Sequence, residues 1–161
     1  MPSLANPLWQ FSLAVYADPA VRAECLRLQD VHRVNINLLL AVAWLGAVRS
    51  RALTPAEQAQ LRAAITAIDI EVVQPLRQAR RQAKAHGEAQ LSAAIGEIEL
   101  QAEKIVQDRL YEMAKAWSGA IAAPSILHRN ISLLLAEHNV AEDDFPRALA
   151  AAAHIYTAAQ Q

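Results

Sequence analysis

Polar residues that could form a binding site precede the most apolar stretch of the sequence. Asp30, His32 and Asn37 lie at the junction between two predicted helices. Polar groups at such a junction are expected to be partly buried, and buried polar groups need a partner or a ligand. In a structural interpretation, Asn35 caps the following helix, while Asp30 accepts backbone hydrogen bonds or pairs with Arg33. In a functional interpretation, a small pocket is lined by Tyr16, Asp30, His32, Asn37 and Trp44.

The sequence contains few of the arrangements that catalysis or metal binding requires. No serine lies in a nucleophile elbow, no glycine-rich phosphate loop is present, and no histidine has the Glu-x-x-His spacing of di-iron bundles. Glu99 and Glu103 share a predicted helix face opposite Glu71, but such carboxylates are usually solvated. The single cysteine, Cys25, lies among apolar helix positions and is expected to be a buried thiol. We therefore expect no catalytic residue, metal or cofactor, and a non-enzymatic protein is favoured over an enzyme of unrecognised type.

Charge and composition limit the classes of partner. The formal net charge is −1, so no global field draws the protein to nucleic acid or to an anionic membrane. The basic stripe Arg77, Arg80, Arg81 and Lys84 has no interleaved aromatic residues and is interpreted as a solvated helix face. The longest apolar run, 38–48, is shorter than the roughly 20 residues that span a bilayer, and no secretory signal is recognised. We expect no nucleic-acid binding, no membrane span and a cytoplasmic location.

The elements that must position these residues are all predicted to be helices. Hydrophobic residues, mostly Ala and Leu, make up 54% of the chain, and no alternating strand pattern occurs. We predict one all-α domain over 1–161, a helical bundle of about seven helices. The helix over 35–51 is apolar all round and is predicted to be central. The chain divides into three N-terminal helices (6–51), a long antiparallel helical hairpin (54–118) and two C-terminal helices (125–159).

Capping signals predict where these helices begin and end. A capping residue followed by proline marks helix starts at Asn6, Asp18 and Thr54. Gly87 is expected to end a helix in the left-handed conformation, and Pro75 to kink one. The pattern breaks over 120–124. Further predicted caps are Asn35, Ser125 and either Asp143 or Asp144.

A tight turn at Gly87 predicts the register of the hairpin. Leu76 should then face Ile98, and Arg77 should lie beside Glu97. The register also pairs Arg62 with Glu112. We therefore expect a charge at position 98 to destabilise the fold strongly. The two stripes expected to be buried are Leu61, Ile65, Ile68, Val72, Leu76, Ala79 and Ala83, and Leu91, Ile95, Ile98, Ala102, Val106, Leu110, Met113 and Trp117.

The first quarter of the chain carries a recognisable signature. Its matching residues are Trp9, Phe11, Ser12, Leu13, Tyr16, Pro19, Val21, Cys25, Leu26, Leu28, Gln29, Asp30, Asn37, Leu38, Leu39, Trp44 and Leu45. This pattern resembles a proteobacterial family of small proteins classed as a domain of unknown function. The resemblance implies a bacterial cytosolic setting and carries no activity, ligand or partner.

Three functions remain open from the sequence. The leading hypothesis is a non-enzymatic helical interaction or regulatory module that presents a helix face to a protein partner or to a second copy of itself. The long amphipathic hairpin and the lack of catalytic motifs support it. The alternative is a binder of an apolar small molecule in a pocket beside the helix 35–51. An enzyme of unrecognised type is the third.

Overall fold

The computed structural model describes residues 6–117 and 125–161, in which the regular structure is helical. The elements are α1 (Pro7–Tyr16), α2 (Pro19–His32), α3 (Ile36–Ala47), α4 (Pro55–Ile68), a π-helical turn (Asp69–Val73), α5 (Gln74–Ala85), α6 (Ala89–Ala114), α7 (Ile126–Ala136), a 3-10 turn (Glu142–Asp144) and α8 (Arg147–Ala159). Because α4, the π turn and α5 are continuous, the α-helices of the described residues form seven rods. The predicted all-α bundle of about seven helices is confirmed. The predicted break over 120–124 lies outside the described residues.

Helix α3 occupies the centre of the bundle, as its composition predicts. Every residue from 37 to 46 is buried, because α1, α2, α4, α6, α7 and α8 all pack against this helix. The closest approach is made by α7. A Cβ atom added to Gly46 would lie only 2.7 Å from the Cα of Leu127, so the two backbones meet where α3 has no side chain.

Four of the predicted caps are confirmed. The Asn6 Oδ1 accepts from the backbone N–H of Leu8 at 2.8 Å, and Asp18 accepts from Ala20 at 2.8 Å. The Asn35 Oδ1 accepts from the Leu38 N–H at 3.0 Å. Residues Thr54 and Glu57 form the predicted capping box. Local sequence therefore determines where these helices start.

The caps predicted for the last two helices are wrong. Ser125 has a left-handed backbone and makes no capping hydrogen bond with its side chain. At α8, neither Asp143 nor Asp144 caps the helix. Instead, the carboxylate of Glu24 on α2 accepts from the N–H groups of Ala148 at 2.9 Å and Leu149 at 3.1 Å. The carboxylate at this N-terminus comes from a distant helix, which local sequence patterns cannot reveal.

Helix α2 ends in a left-handed cap at its joint with α3. The Arg33 N–H donates to the Gln29 carbonyl, which is the αL capping bond, and the Val34 N–H donates to the Leu28 carbonyl. Arg33 lies in the left-handed region with φ of 60°. Val34 and Leu28 are buried, whereas the Arg33 side chain is exposed.

The predicted kink at Pro75 takes the form of a π turn. Pro75 has no N–H, and its ring crowds the carbonyl one turn earlier. The helix widens just before it, where the Gln74 N–H donates to the Asp69 carbonyl. Helix α5 then continues to a turn at Gly87, whose φ of +79° confirms the predicted left-handed end.

The hairpin of α5 and α6 forms, but its predicted register is wrong. Arg77 pairs with Glu99 at 3.2 Å and with Glu103 at 3.1 Å instead of Glu97. Arg80 also pairs with Glu99, whose side chain is only 8% exposed. These charge-assisted hydrogen bonds rotate α6 so that Glu99 faces α5 and Ile98 turns outward, with 53% of its surface exposed.

The buried stripe predicted for α6 agrees with the structure in only one half of the helix. Ala102, Val106 and Leu110 are buried as predicted, so the stripe holds in the second half of the helix. Arg62 pairs with Glu137, the residue that caps the end of α7, and not with Glu112. The basic stripe of α5 is likewise not a solvated face throughout, because Arg77 and Arg80 face α6.

Candidate functional site

The five residues predicted to line a pocket occupy different places. Asp30 and Asn37 line a groove at the joint of α2 and α3. His32, Tyr16 and Trp44 do not line it. His32 lies 3.3 Å from the Asp144 carboxylate on another side of the joint. The structure therefore brings together two of the five.

The surroundings of Tyr16 and Trp44 indicate a packing role for both side chains. Burial raises the pKa of the half-buried Tyr16 hydroxyl to about 12. Trp44 is buried in α3, with its ring 5.8 Å from that of Tyr111 and the Arg49 guanidinium 5.5 Å from its centroid. These contacts belong to the packing around α3.

The groove separates the joint of α2 and α3 from the π turn and α5. Its volume is about 600 Å³, which is within the range of small-molecule sites. Three arginines and six carboxamides supply most of its polar lining. The lining residues are Gln29, Asp30, Arg33, Val34, Asn35, Ile36, Asn37, Asp69, Gln74, Arg77, Gln78, Arg81 and Gln82.

The three arginines of the groove differ in how far they are engaged. Arg77 lines the groove but is held by Glu99 and Glu103 of α6. Arg81 pairs with Asp30 at 3.1 Å, but both side chains are half-exposed, and such a pair exchanges at little cost. Within the described residues, the Arg33 side chain makes no hydrogen bond or ion pair. Within the described residues, Arg33 therefore has no ionic partner, and Arg81 has only a weak ion pair.

The floor of the groove is formed by Asn37, which is only 7% exposed. Its Oδ1 accepts from the Gln107 Nε2 at 3.0 Å, and the Gln107 Oε1 accepts from the Ser12 Oγ at 2.9 Å. This chain joins α1, α6 and α3 and fixes the orientation of the Asn37 carboxamide. The Asn37 Nδ2 donates to no described residue. A nearly buried amide therefore presents a free donor at the groove.

The N-terminus of α3 also opens on the groove. Asn35 satisfies the N–H groups of Leu38 and Leu39, through its side chain and its carbonyl respectively. The backbone N–H groups of Ile36 and Asn37 have no acceptor among the described residues. Free N–H groups and the helix dipole both favour an anion at this position.

A second feature of the hairpin, the apolar flank, is a set of exposed apolar side chains. Leu91, Ile98 and Ile105 on α6 are exposed and spaced seven residues apart. The ion pairs of the hairpin place the exposed Val72 at the level of Ile105. We define the apolar flank as Val72, Leu91, Ile98 and Ile105.

Other chemistry is sparse in the described part of the chain. Residues 6–117 and 125–161 contain no group of three metal-ligating side chains. Over the same ranges, no helix is both long enough and apolar enough to cross a bilayer. Burial raises the pKa of the Cys25 thiol to about 12, so little thiolate forms near neutral pH.

Sequence analysis missed most of the groove, although one signal was present. Gln74, Gln78, Arg81 and Gln82 recur at helical spacing on one side of α5. This spacing marks a polar stripe but does not reveal what it faces. Arg33 was considered only as a partner for Asp30, whereas Asp30 pairs with Arg81.

Comparison with known proteins gives one match. A family model described as a protein of unknown function (DUF2390) matches residues 7–110, from the start of α1 into α6. The predicted resemblance to a family of unknown function is confirmed. The comparison with curated proteins and the comparison with solved structures give no match. Both the groove and the apolar flank lie within the matched region.

Proposed function

We propose that this chain, which belongs to a family of proteins of unknown function (DUF2390), is a non-enzymatic interaction module that pairs with a second copy of itself. The observation that carries the proposal is the exposure of Leu91, Ile98 and Ile105 in one line along α6. Burial of such residues against a partner helix is the main favourable term in association.

The spacing of the apolar flank favours a second copy as the occupant. Leu91 lies seven residues before Ile98, and Ile105 lies seven residues after it. In an antiparallel pair centred on Ile98, the Leu91 of each copy faces Ile105 of the other, while Ile98 faces itself. A heptad repeat of this kind suits knobs-into-holes packing, and a two-fold interface requires a self-complementary surface.

Charges at the two ends of the flank support the same arrangement. Glu88 lies ten residues before Ile98, and Arg109 lies eleven residues after it. Both side chains are exposed, and neither forms an ion pair within the described residues. An antiparallel pair brings the Glu88 of each copy to the level of the other copy's Arg109, offset by one residue or about 1.5 Å. These contacts would favour the antiparallel orientation.

The alternative functions have less support. An apolar small molecule fits poorly in a groove lined mainly by arginines and carboxamides. An enzyme would need a reactive constellation, and the described groups with raised pKa values include Cys25 and Tyr16, whose shifts arise from burial. We assign the module to the cytoplasm, where a single buried thiol such as Cys25 stays reduced.

Sedimentation velocity over a micromolar concentration series tests the proposal. We expect the wild-type protein to be a dimer. Ile98→Asp should raise the dissociation constant at least about a hundredfold, because it places two like charges at the centre of the interface. Its far-UV circular dichroism should stay unchanged, since Ile98 is exposed in the single chain.

Ile155→Asp is the matched control. Ile155 on α8 is 71% exposed and lies away from the hairpin, so the same substitution there should leave the dimer intact. A wild-type protein that remains monomeric across the series would overturn the proposal. So would equal weakening of the dimer by Ile98→Asp and Ile155→Asp.

A further inference from the structure

We propose that the groove between the joint of α2 and α3 and helix α5 binds the oxyanion, carboxylate or phosphate, of a small polar molecule. This site is independent of self-association, because none of the residues that line the groove belongs to the apolar flank. The inference rests on free donors that converge on one concave surface and on a cation that the fold does not use.

The free hydrogen-bond donors all lie in the first turn of α3. The backbone N–H groups of Ile36 and Asn37 and the Nδ2 of Asn37 have no acceptor among the described residues. Asn37 is almost wholly buried and is held by Gln107, so its free amide is already oriented. Ile36 and Asn37 line the groove, so an oxyanion bound there could accept from these three donors.

Arg33 adds a cation beside these donors. Its backbone has a φ of 60°, and its guanidinium makes no hydrogen bond or ion pair with the described residues. Together with Arg81, Arg33 can flank an anion bound at the N-terminus of α3.

The rest of the groove limits the body of the ligand. Carboxamides of Gln29, Gln74, Gln78 and Gln82 line the remaining wall. The Asp69 carboxylate also lies there and accepts from the Gln74 Nε2 at 2.7 Å, and the lining includes no aromatic residue. The volume of about 600 Å³ exceeds that needed for inorganic phosphate alone. These features fit a compact, hydrophilic organic anion. Asp30 competes with such a ligand for Arg81, so it lowers the affinity.

Two-dimensional 15N–1H NMR titrations with inorganic phosphate and with citrate test the proposal, with sodium chloride at matched ionic strength as the reference. We expect saturable shifts of the Ile36 and Asn37 amides. Larger affinity for phosphate would assign a phosphate ligand, and larger affinity for citrate would assign a carboxylate. Arg33→Gln should weaken binding at least tenfold, and Asp30→Asn should strengthen it severalfold.

Arg147→Gln is the control for net charge, because Arg147 is exposed on α8 and lies outside the groove. It should leave both titrations within twofold of the wild type. The proposal would be overturned if neither probe produced saturable shifts at Ile36 and Asn37. It would also be overturned if Arg147→Gln weakened binding as much as Arg33→Gln, since the effect would then be nonspecific attraction.

Discussion

Replacement of Glu99 with alanine is expected to lower the free energy of unfolding by about 3–5 kcal/mol. The Glu99 carboxylate is nearly buried between α5 and α6, where Arg77 and Arg80 both donate to it. Its removal leaves two partly buried guanidinium groups with too little negative charge. Glu103 cannot compensate fully, because burial raises its pKa even though Arg77 lies beside it. Urea denaturation followed by circular dichroism measures the change.

Glu97→Ala provides the control for this substitution. Glu97 is exposed on the same helix, two residues away, and forms no ion pair within the described residues. Its replacement should change the free energy of unfolding by less than about 0.5 kcal/mol. If Glu99→Ala were no more destabilising than Glu97→Ala, the network of Arg77, Arg80 and Glu99 would not hold the hairpin together.

Gly46→Ala is expected to lower the free energy of unfolding by about 2–3 kcal/mol. A methyl group at position 46 would meet the Leu127 Cα at 2.7 Å and the Leu127 backbone nitrogen at 3.0 Å. Backbone atoms cannot rotate aside, so α3 and α7 must separate. The loss should exceed the gain of about 1 kcal/mol that alanine usually brings to a helix. Thermal unfolding should show a lower midpoint.

The same change at Gly96 has the opposite expected sign. A methyl group there would approach only the Cδ of Arg80 at 3.2 Å, and a long side chain can shift. Gly96→Ala should therefore raise the free energy of unfolding by about 0.5–1 kcal/mol. Destabilisation by Gly96→Ala equal to that of Gly46→Ala would show that the close approach to Leu127 is not the cause.

Features encoded by neighbouring residues were predictable from the sequence. Each helix cap acts within one turn of its own position, so the identity of the capping residue was sufficient to predict the helix start. These caps are Asn6, Asp18, Asn35 and the capping box that begins at Thr54. The central place of α3 followed from its lack of a polar face. Gly87 ended α5 at the turn of the hairpin, where a left-handed residue was expected.

Features set by distant residues were not predictable in the same way. The apolar stripe of α6 suggested that Ile98 is buried, but Arg77 and Arg80 recruit Glu99 instead and rotate the first half of the helix. Glu24 caps α8 from more than 120 residues away. The periodicity of apolar residues describes one helix at a time. It cannot show which residues of that helix will face the residues of a neighbouring helix.

The polarity of the groove could not be predicted for the same reason. The sequence located polar residues at the joint of α2 and α3, and Asp30 and Asn37 do lie in the groove there. The opposite wall comes from α5, including Arg81, and its polarity changes the expected ligand from apolar to anionic. Trp44 belongs to the core and the half-buried Tyr16 packs against it, so neither residue lines the groove.

One rotation of α6 connects the main features of the hairpin. The pairing of Glu99 with Arg77 and Arg80 turns Ile98 outward and so creates the apolar flank. Because an ionic network fills this part of the interface between α5 and α6, less apolar surface is buried within the chain. Self-association through the apolar flank would recover that burial between two chains.

Disulfide cross-linking at position 98 tests this central claim most directly. Ile98→Cys and Ile155→Cys each add one exposed thiol, and the buried Cys25 contributes little because its pKa is raised to about 12. An antiparallel pair places the two introduced thiols at position 98 opposite each other, whereas position 155 on α8 lies outside the interface. After mild oxidation, intact mass spectrometry should therefore find mainly covalent dimer for Ile98→Cys and monomer for Ile155→Cys. Equal cross-linking of the two variants, or none at position 98, would contradict the account.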